Sequence, residues 1–177
     1  MILEKIETGF DGLFFLAPQV FEDDRGFFTE SYSKKEFARL GIYTEFVQDN
    51  HSKSVKNTLR GLHYQAWPKG QDKLIRCIKG EIMDVVVDIR PDSKTYLQHF
   101  KIILTEKFCN QLHISNGFLH GFIVLSDIAE VQYKCSWYYE PQLEKGYAWN
   151  DPTFNIDWGI SDPILSERDK YNPCYTR

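Results

Sequence analysis

Short apolar runs of four to eight residues, each closed by a turn signal, succeed one another along almost the whole chain. They fall at 13–16, 27–32, 44–48, 58–65, 73–78, 81–88, 100–104, 111–114, 121–125 and 128–135. Between them stand the pairs Asp23–Asp24, Lys69–Gly70, Lys79–Gly80, Pro91–Asp92, Asn116–Gly117 and Ser126–Asp127. Runs this short suit strands better than helices, and many of them at such spacing predict an antiparallel sandwich or barrel. An aromatic content of 15% agrees, because aromatic rings suit pleated, half-buried surfaces. The Lys79–Gly80 step between two apolar runs predicts a hairpin. Helices are few. Ser33 followed by Glu36 predicts a capping box, with Phe37 and Leu40 as the apolar positions and Gly41 as the stop. A second short turn is expected after Pro163, with Ser166 capping Glu167–Lys170.

The 177 residues show no repeat or linker, so residues 1–177 read as one domain. A net charge of −4 gives no footprint for nucleic acid. The first residues lack a basic flank before an apolar core, and no apolar run is long enough to span a bilayer. Cys77, Cys109, Cys135 and Cys174 are widely spaced, which predicts reduced thiols in a cytoplasmic protein.

One run carries an anomaly. The segment Thr58-Leu-Arg-Gly-Leu-His-Tyr-Gln65 places a titratable imidazole, His63, in what otherwise reads as a buried strand. In a flat strand Arg60 and His63 face opposite ways. Only a twist, a bulge or a kink at Gly61 would let both line one cavity. A histidine in a core is usually a hydrogen-bonded structural residue, but this one has chemical company. The five histidines include no His-x-His pair, and Gln65 stands where a second ligand would be, which points to a site without metal or other cofactor. That leaves acid–base chemistry. A histidine base needs a carboxylate to orient it, and Asp84, Asp88 and Asp169 are the candidates, which spacing does not separate. Lys73, if it points inward, could stabilise an oxyanion. Tyr133 shares a strand face with Ala129, Val131 and Cys135, where it is either core or a proton donor.

Several segments together are similar to the dTDP-4-dehydrorhamnose 3,5-epimerase family, a branch of the cupins. They are Phe21-Glu-Asp-Asp-Arg-Gly-Phe-Phe-Thr-Glu30, Val47-Gln-Asp-Asn-His-Ser52, Leu59-Arg-Gly-Leu-His-Tyr-Gln65, Gly117-Phe-Leu-His-Gly-Phe122, Tyr133-Lys-Cys135 and Leu165-Ser-Glu-Arg-Asp169. They are collinear and span nearly the whole chain. The resemblance implies a mainly β jelly-roll, a β-sandwich or barrel with a few short helices. It also implies a homodimer in which an N-terminal strand reaches across to the partner. The implied reaction inverts C3, C5 or both in a nucleotide-linked 4-keto-6-deoxyhexose.

Carried over by position, His63 resembles the base, Asp169 its carboxylate, Tyr133 the proton donor and Lys73 the group near the C4 oxygen. Arg25, Glu30, Gln48, Asn50 and Arg60 resemble nucleotide and diphosphate contacts. His120 and Glu144 resemble sugar contacts, and Tyr139 an aromatic stacking on the base. Two departures from the family's usual pattern bear on the site: Asp72 beside Lys73, expected to alter its surroundings or to sit outside, and Leu119 beside His120, expected to narrow the sugar pocket. Trp67 and Tyr96-Leu97 are also atypical. The other readings are a mono-epimerase, a non-catalytic sugar-binding module that would lack the base or the acid, and a metal-dependent cupin, which the missing His-x-His pair disfavours.

Overall fold

A computed structural model describes residues 3–176. In chain order the elements are β1 (Leu3–Glu7), β2 (Leu13–Pro18), β3 (Val20–Asp23), β4 (Gly26–Thr29), α1 (Lys34–Arg39), β5 (Gln48–Val55) and β6 (Leu59–Gln65). They continue with β7 (Lys73–Lys79), β8 (Glu81–Asp88), β9 (His99–Thr105), β10 (Gln111–Ile114), β11 (Phe118–Val124), β12 (Ile128–Cys135), β13 (Glu144–Gly146) and α2 (Glu167–Lys170). Two antiparallel sheets form a jelly-roll sandwich. One has the order β1-β2-β10-β7-β12-β5, the other β13-β6-β11-β8-β9, and β3 with β4 makes a separate hairpin. No helix among the described residues is long and apolar enough to cross a membrane.

Alternation along the strands sorts the side chains into layers. In β8, Ile82 and Val86 point into the space between the sheets, where they meet Leu13, Ile75, Leu112, Phe122 and Val131. Val85 and Val87 face the other way, into a second apolar layer with Leu59, Leu62, Leu119, Phe154 and Trp158. Covering the sheet on both faces explains why 81–88 reads as a nearly continuous apolar run. The outer face of the first sheet is covered by Phe37 of α1 and by Ile42, which pack on Leu16 and Leu74.

The helices match their expected places, with one difference. Ser166 caps α2, accepting a hydrogen bond from the Asp169 amide. Ser33 stands at the start of α1 without a side-chain cap, and Glu36 pairs with Arg39 at 3.0 Å instead of closing a box. The Lys79–Gly80 step is not a hairpin. Strands β7 and β8 lie in different sheets, so the turn carries the chain from one layer to the other. Gly80 makes this corner at φ +76, where a Cβ would fall 2.2 Å from the Ile128 carbonyl oxygen. The strand expected at 44–48 begins only at Gln48 and runs on to Val55.

At the end of β8, the fully buried Asp88 accepts two side-chain bonds from Arg90, at 2.9 and 2.7 Å, and one each from Ser93 (2.5 Å) and Thr95 (2.7 Å). Burial pushes its pKa up, but these donors outweigh burial and bring it down from 3.8 to about 2. The folded value lies below the unfolded one. The stabilisation is therefore complete above the unfolded pKa and disappears as pH falls through about 2. Asp88→Asn leaves Arg90 without its buried partner and is expected to cost about 3 kcal/mol in a urea melt at pH 7. Near pH 2 that cost should shrink markedly, and an equal loss at both pH values would refute this account.

Candidate active site

Toward one end of the sandwich the inward positions change from apolar to polar. Register aligns Gln48, Cys135 and Lys73 in one row across β5, β12 and β7, and Asn50, Tyr133 and Ile75 in the next. The facing sheet contributes Arg60 and His63 from β6, His120 from β11 and Glu144 from β13. Between the sheets lies a cavity of about 680 Å³, lined by all of these except Ile75 and closed on one side by Ser166, Arg168 and Asp169 around α2.

A bulge in β6 places Arg60 and His63 on the same cavity. His120 pairs with His63 and Phe122 with Arg60, so three steps on β6 match two on β11. Gly61 absorbs the extra residue at φ +134, a conformation that side-chain-bearing residues rarely adopt. Leu59, Leu62 and Tyr64 consequently pack on the opposite face.

His63 Nε2 lies 2.5 Å from Asp169 Oδ1, which leaves Nδ1 without a hydrogen-bond partner among the described residues. Burial raises the pKa of the Asp169 carboxyl, but the hydrogen bond and charge of His63, together with hydrogen bonds from Ser166 and the Gly61 backbone, outweigh it, and the net shift is downward. Asp84 serves a different imidazole, with His120 Nε2 2.8 Å from its Oδ2. Burial lowers the pKa of His120, only partly opposed by Asp84. Asp88 belongs to the Arg90 network at the end of β8. The three carboxylates thus have three separate tasks, and Asp169 is the one on His63.

Across the cavity, Lys73 has no hydrogen bond or ion pair among the described residues, and burial lowers its pKa below the ordinary lysine value. Tyr133 comes from the same sheet, and its hydroxyl has no hydrogen bond among the described residues. Burial raises its pKa to about 12, so it keeps its proton at neutral pH. At the mouth, Arg60 Nε donates to Ser54 Oγ at 3.1 Å and has no carboxylate partner among the described residues. Gln48 donates to Asn50 at 3.1 Å and accepts from the Tyr139 amide at 3.0 Å. The Tyr139 hydroxyl donates to Glu144 at 2.5 Å, and Glu144 also pairs with Arg168.

Ten of the twelve residues expected at the site therefore line one cavity. Arg25 and Glu30 do not. Arg25 sits on the β3–β4 turn, its side chain 90% exposed and paired with Asp23, and Glu30 follows β4. Neither Leu119 nor Asp72 narrows the cavity. Leu119 is fully buried on the far face of the sheet. Asp72 lies outside the cavity lining, accepting from Thr44 (2.8 Å) and from the Asn116 backbone (2.8 Å). The sequence reading passed over Arg168 as a site residue, although it adjoins Asp169, and Cys135, although alternation put it on the Tyr133 face.

A sequence model described as dTDP-4-dehydrorhamnose 3,5-epimerase matches residues 7–176. The Escherichia coli K12 protein of that name is 49% identical over 167 residues, spanning 93% of this chain and 90% of its own. The crystal structure of the Bacillus anthracis dTDP-4-dehydrorhamnose 3,5-epimerase with TDP and PPi bound superposes with a TM-score of 0.96. It is 44% identical and the match covers 98% of this chain and all of that one. The Legionella pneumophila enzyme in complex with dTDP-4-keto-L-rhamnose gives a TM-score of 0.92 at 40% identity, over 99% of this chain and 100% of that one.

Proposed function

Because this chain belongs to the dTDP-4-dehydrorhamnose 3,5-epimerase family, we propose that it inverts C3 and C5 of a dTDP-linked 4-keto-6-deoxyhexose. What supports this mechanism is an imidazole held by a carboxylate on one wall of the cavity, facing a lysine with no ion pair among the described residues and a protonated phenol on the other.

A C–H bond beside a ketone is a weak acid, and its proton leaves readily only if the enolate is stabilised where it forms. His63 takes the proton through its free Nδ1. Asp169 holds the ring and stabilises the imidazolium. Lys73, with no ion pair among the described residues, faces the oxygen at C4 as negative charge develops there. Tyr133 then gives its proton to the other face of the carbon and recovers one from solvent, while His63 loses its proton to solvent. Inversion follows because donor and acceptor stand on different sheets. Arg60, Gln48 and Asn50 are assigned to the diphosphate and nucleotide, Tyr139 to stacking on the base, and His120 and Glu144 to the sugar. Arg60 suits phosphate, since its fork can bind two oxygens at once.

The chain acts as a single domain in a homodimer. Support comes from the β3–β4 hairpin, which holds Phe21, Phe27 and Phe28 out to solvent, with Arg25 at its turn and Glu30 just past its end. Reaching to a partner's cavity would cover those rings and deliver both polar residues. Free thiols at all four cysteines suit the cytoplasm.

The test is incubation with dTDP-4-keto-6-deoxyglucose in D₂O, following C3 and C5 by NMR. Deuterium at both carbons is expected. Exchange at one carbon alone would make the protein a mono-epimerase, and exchange at neither would overturn the assignment. Tyr133→Phe separates the two half-reactions. It should retain measurable wash-in of deuterium while inverted product falls by roughly 10²-fold or more. Equal loss of both would remove Tyr133 from the donor role.

A further inference from the structure

We infer that Asn172 is a positioning residue of the His63–Asp169 pair, acting on the base through the carboxylate. The inference rests on the reading of His63 as the base.

Asn172 does not line the cavity. Its Nδ2 donates at 3.3 Å to Asp169 Oδ1, the same oxygen that meets His63 Nε2. The place it occupies is shaped for it. Gly146 is the cross-strand partner of His63, and a Cβ on Gly146 would fall 2.8 Å from Asn172 Nδ2. The chain on either side is pinned. Ahead of Asn172, Ser166 caps the Asp169 amide at 3.1 Å. After it, the Pro173 carbonyl accepts from the Ala148 amide at 2.9 Å, and the Tyr175 amide donates to the buried Asp151. Three consecutive features of the C-terminal segment thus deliver one amide to the back of the dyad.

An oxygen that accepts two hydrogen bonds holds less free negative charge for either donor. The amide therefore moderates the pull of Asp169 on the imidazolium, so that His63 both accepts a proton and releases it. Removing the amide concentrates the carboxylate charge on His63 and favours the protonated ring. The acid limb of the pH–rate profile then moves to higher pH. The other charged or titratable groups around the pair are His120 on β11, Lys73 on β7, Tyr133 on β12, Glu144 on β13 and Arg168 on α2.

The experiment is the pH profile of kcat/KM for the full-length wild type, Asn172→Leu and Asn172→Asp, with thermal melts and a His63→Asn control. In Asn172→Leu the acid limb is expected to move up by roughly 0.5 pH unit, and in Asn172→Asp, which adds a charge, by roughly 1 unit or more. Melting temperatures should stay close to wild type. A lower rate with an unmoved limb would make Asn172 structural only and overturn the inference, as would unchanged kinetics in both variants. The control separates the two levels. If His63→Asn retains exchange, the reading of the base has failed, whereas if it loses exchange and the limb stays put, only the role of Asn172 has failed.

Discussion

In His63→Asn, C3 and C5 exchange should fall by roughly 10³-fold, with the fold intact. The asparagine amide can still donate to Asp169, which is only 4% exposed and with alanine would keep Asn172 but lose its imidazole partner. The change removes the nitrogen assigned to accept a proton from carbon, and spares the contacts that hold α2 against β6. Exchange in D₂O beside a thermal melt measures both. A variant that keeps more than a tenth of wild-type exchange, with an unchanged melt, would move the base elsewhere.

The second large effect is expected at Gly61. An alanine there would place its Cβ 2.5 Å from the Gly121 Cα and 3.0 Å from the His120 carbonyl oxygen, at φ +134. These are backbone atoms of the neighbouring strand and have no rotamer with which to move aside. Positive-φ strain and overpacking each cost about 1–3 kcal/mol, so a combined loss of roughly 3–4 kcal/mol is expected in a denaturant melt. That is a large part of the stability of an ordinary domain. Relief by sliding β6 into regular register would turn His63 to the far face, where Leu62 and Leu119 now pack. Either way exchange collapses. Gly61→Ala with wild-type stability and rate would show that the bulge is not what presents His63.

What the sequence revealed, and what it hid, follows from how each strand is used. Strands β8 and β12 carry enough buried apolar residues to be read directly, and their bounds fall where expected. Strand β5 was nearly illegible. Its inward residues Gln48, Asn50 and Ser52 line the cavity, and its outward residues Asp49, His51 and Lys53 have no apolar alternation to offer. A strand recruited for polar recognition loses the pattern by which strands are recognised. The anomaly in β6 had the opposite effect. Arg60 and His63 could share a cavity only through a twist, a bulge or a kink at Gly61, and a bulge is there. The partner of His63 was beyond reach by spacing, because Asp84, Asp88 and Asp169 differ in the bonds they make and not in local sequence. The resemblance singled out Asp169, and the geometry pairs it with His63. Lys79–Gly80 misled because a turn between two apolar runs looks alike whether the next strand pairs with the last or crosses to the other layer.

The proposed base and acid are separated by the thickness of the sandwich itself, since His63 stands on one sheet and Tyr133 and Lys73 on the other. Packed sheets keep a spacing of about 10 Å, fixed here by Ile75, Val86, Leu112 and Phe122 in the shared core. The proposed catalytic groups are therefore like the jaws of a vice set once, when the chain folds. Neither wall can follow a carbon atom from place to place. To present first one reacting carbon and then the other, it is the pyranose that must turn between stationary walls.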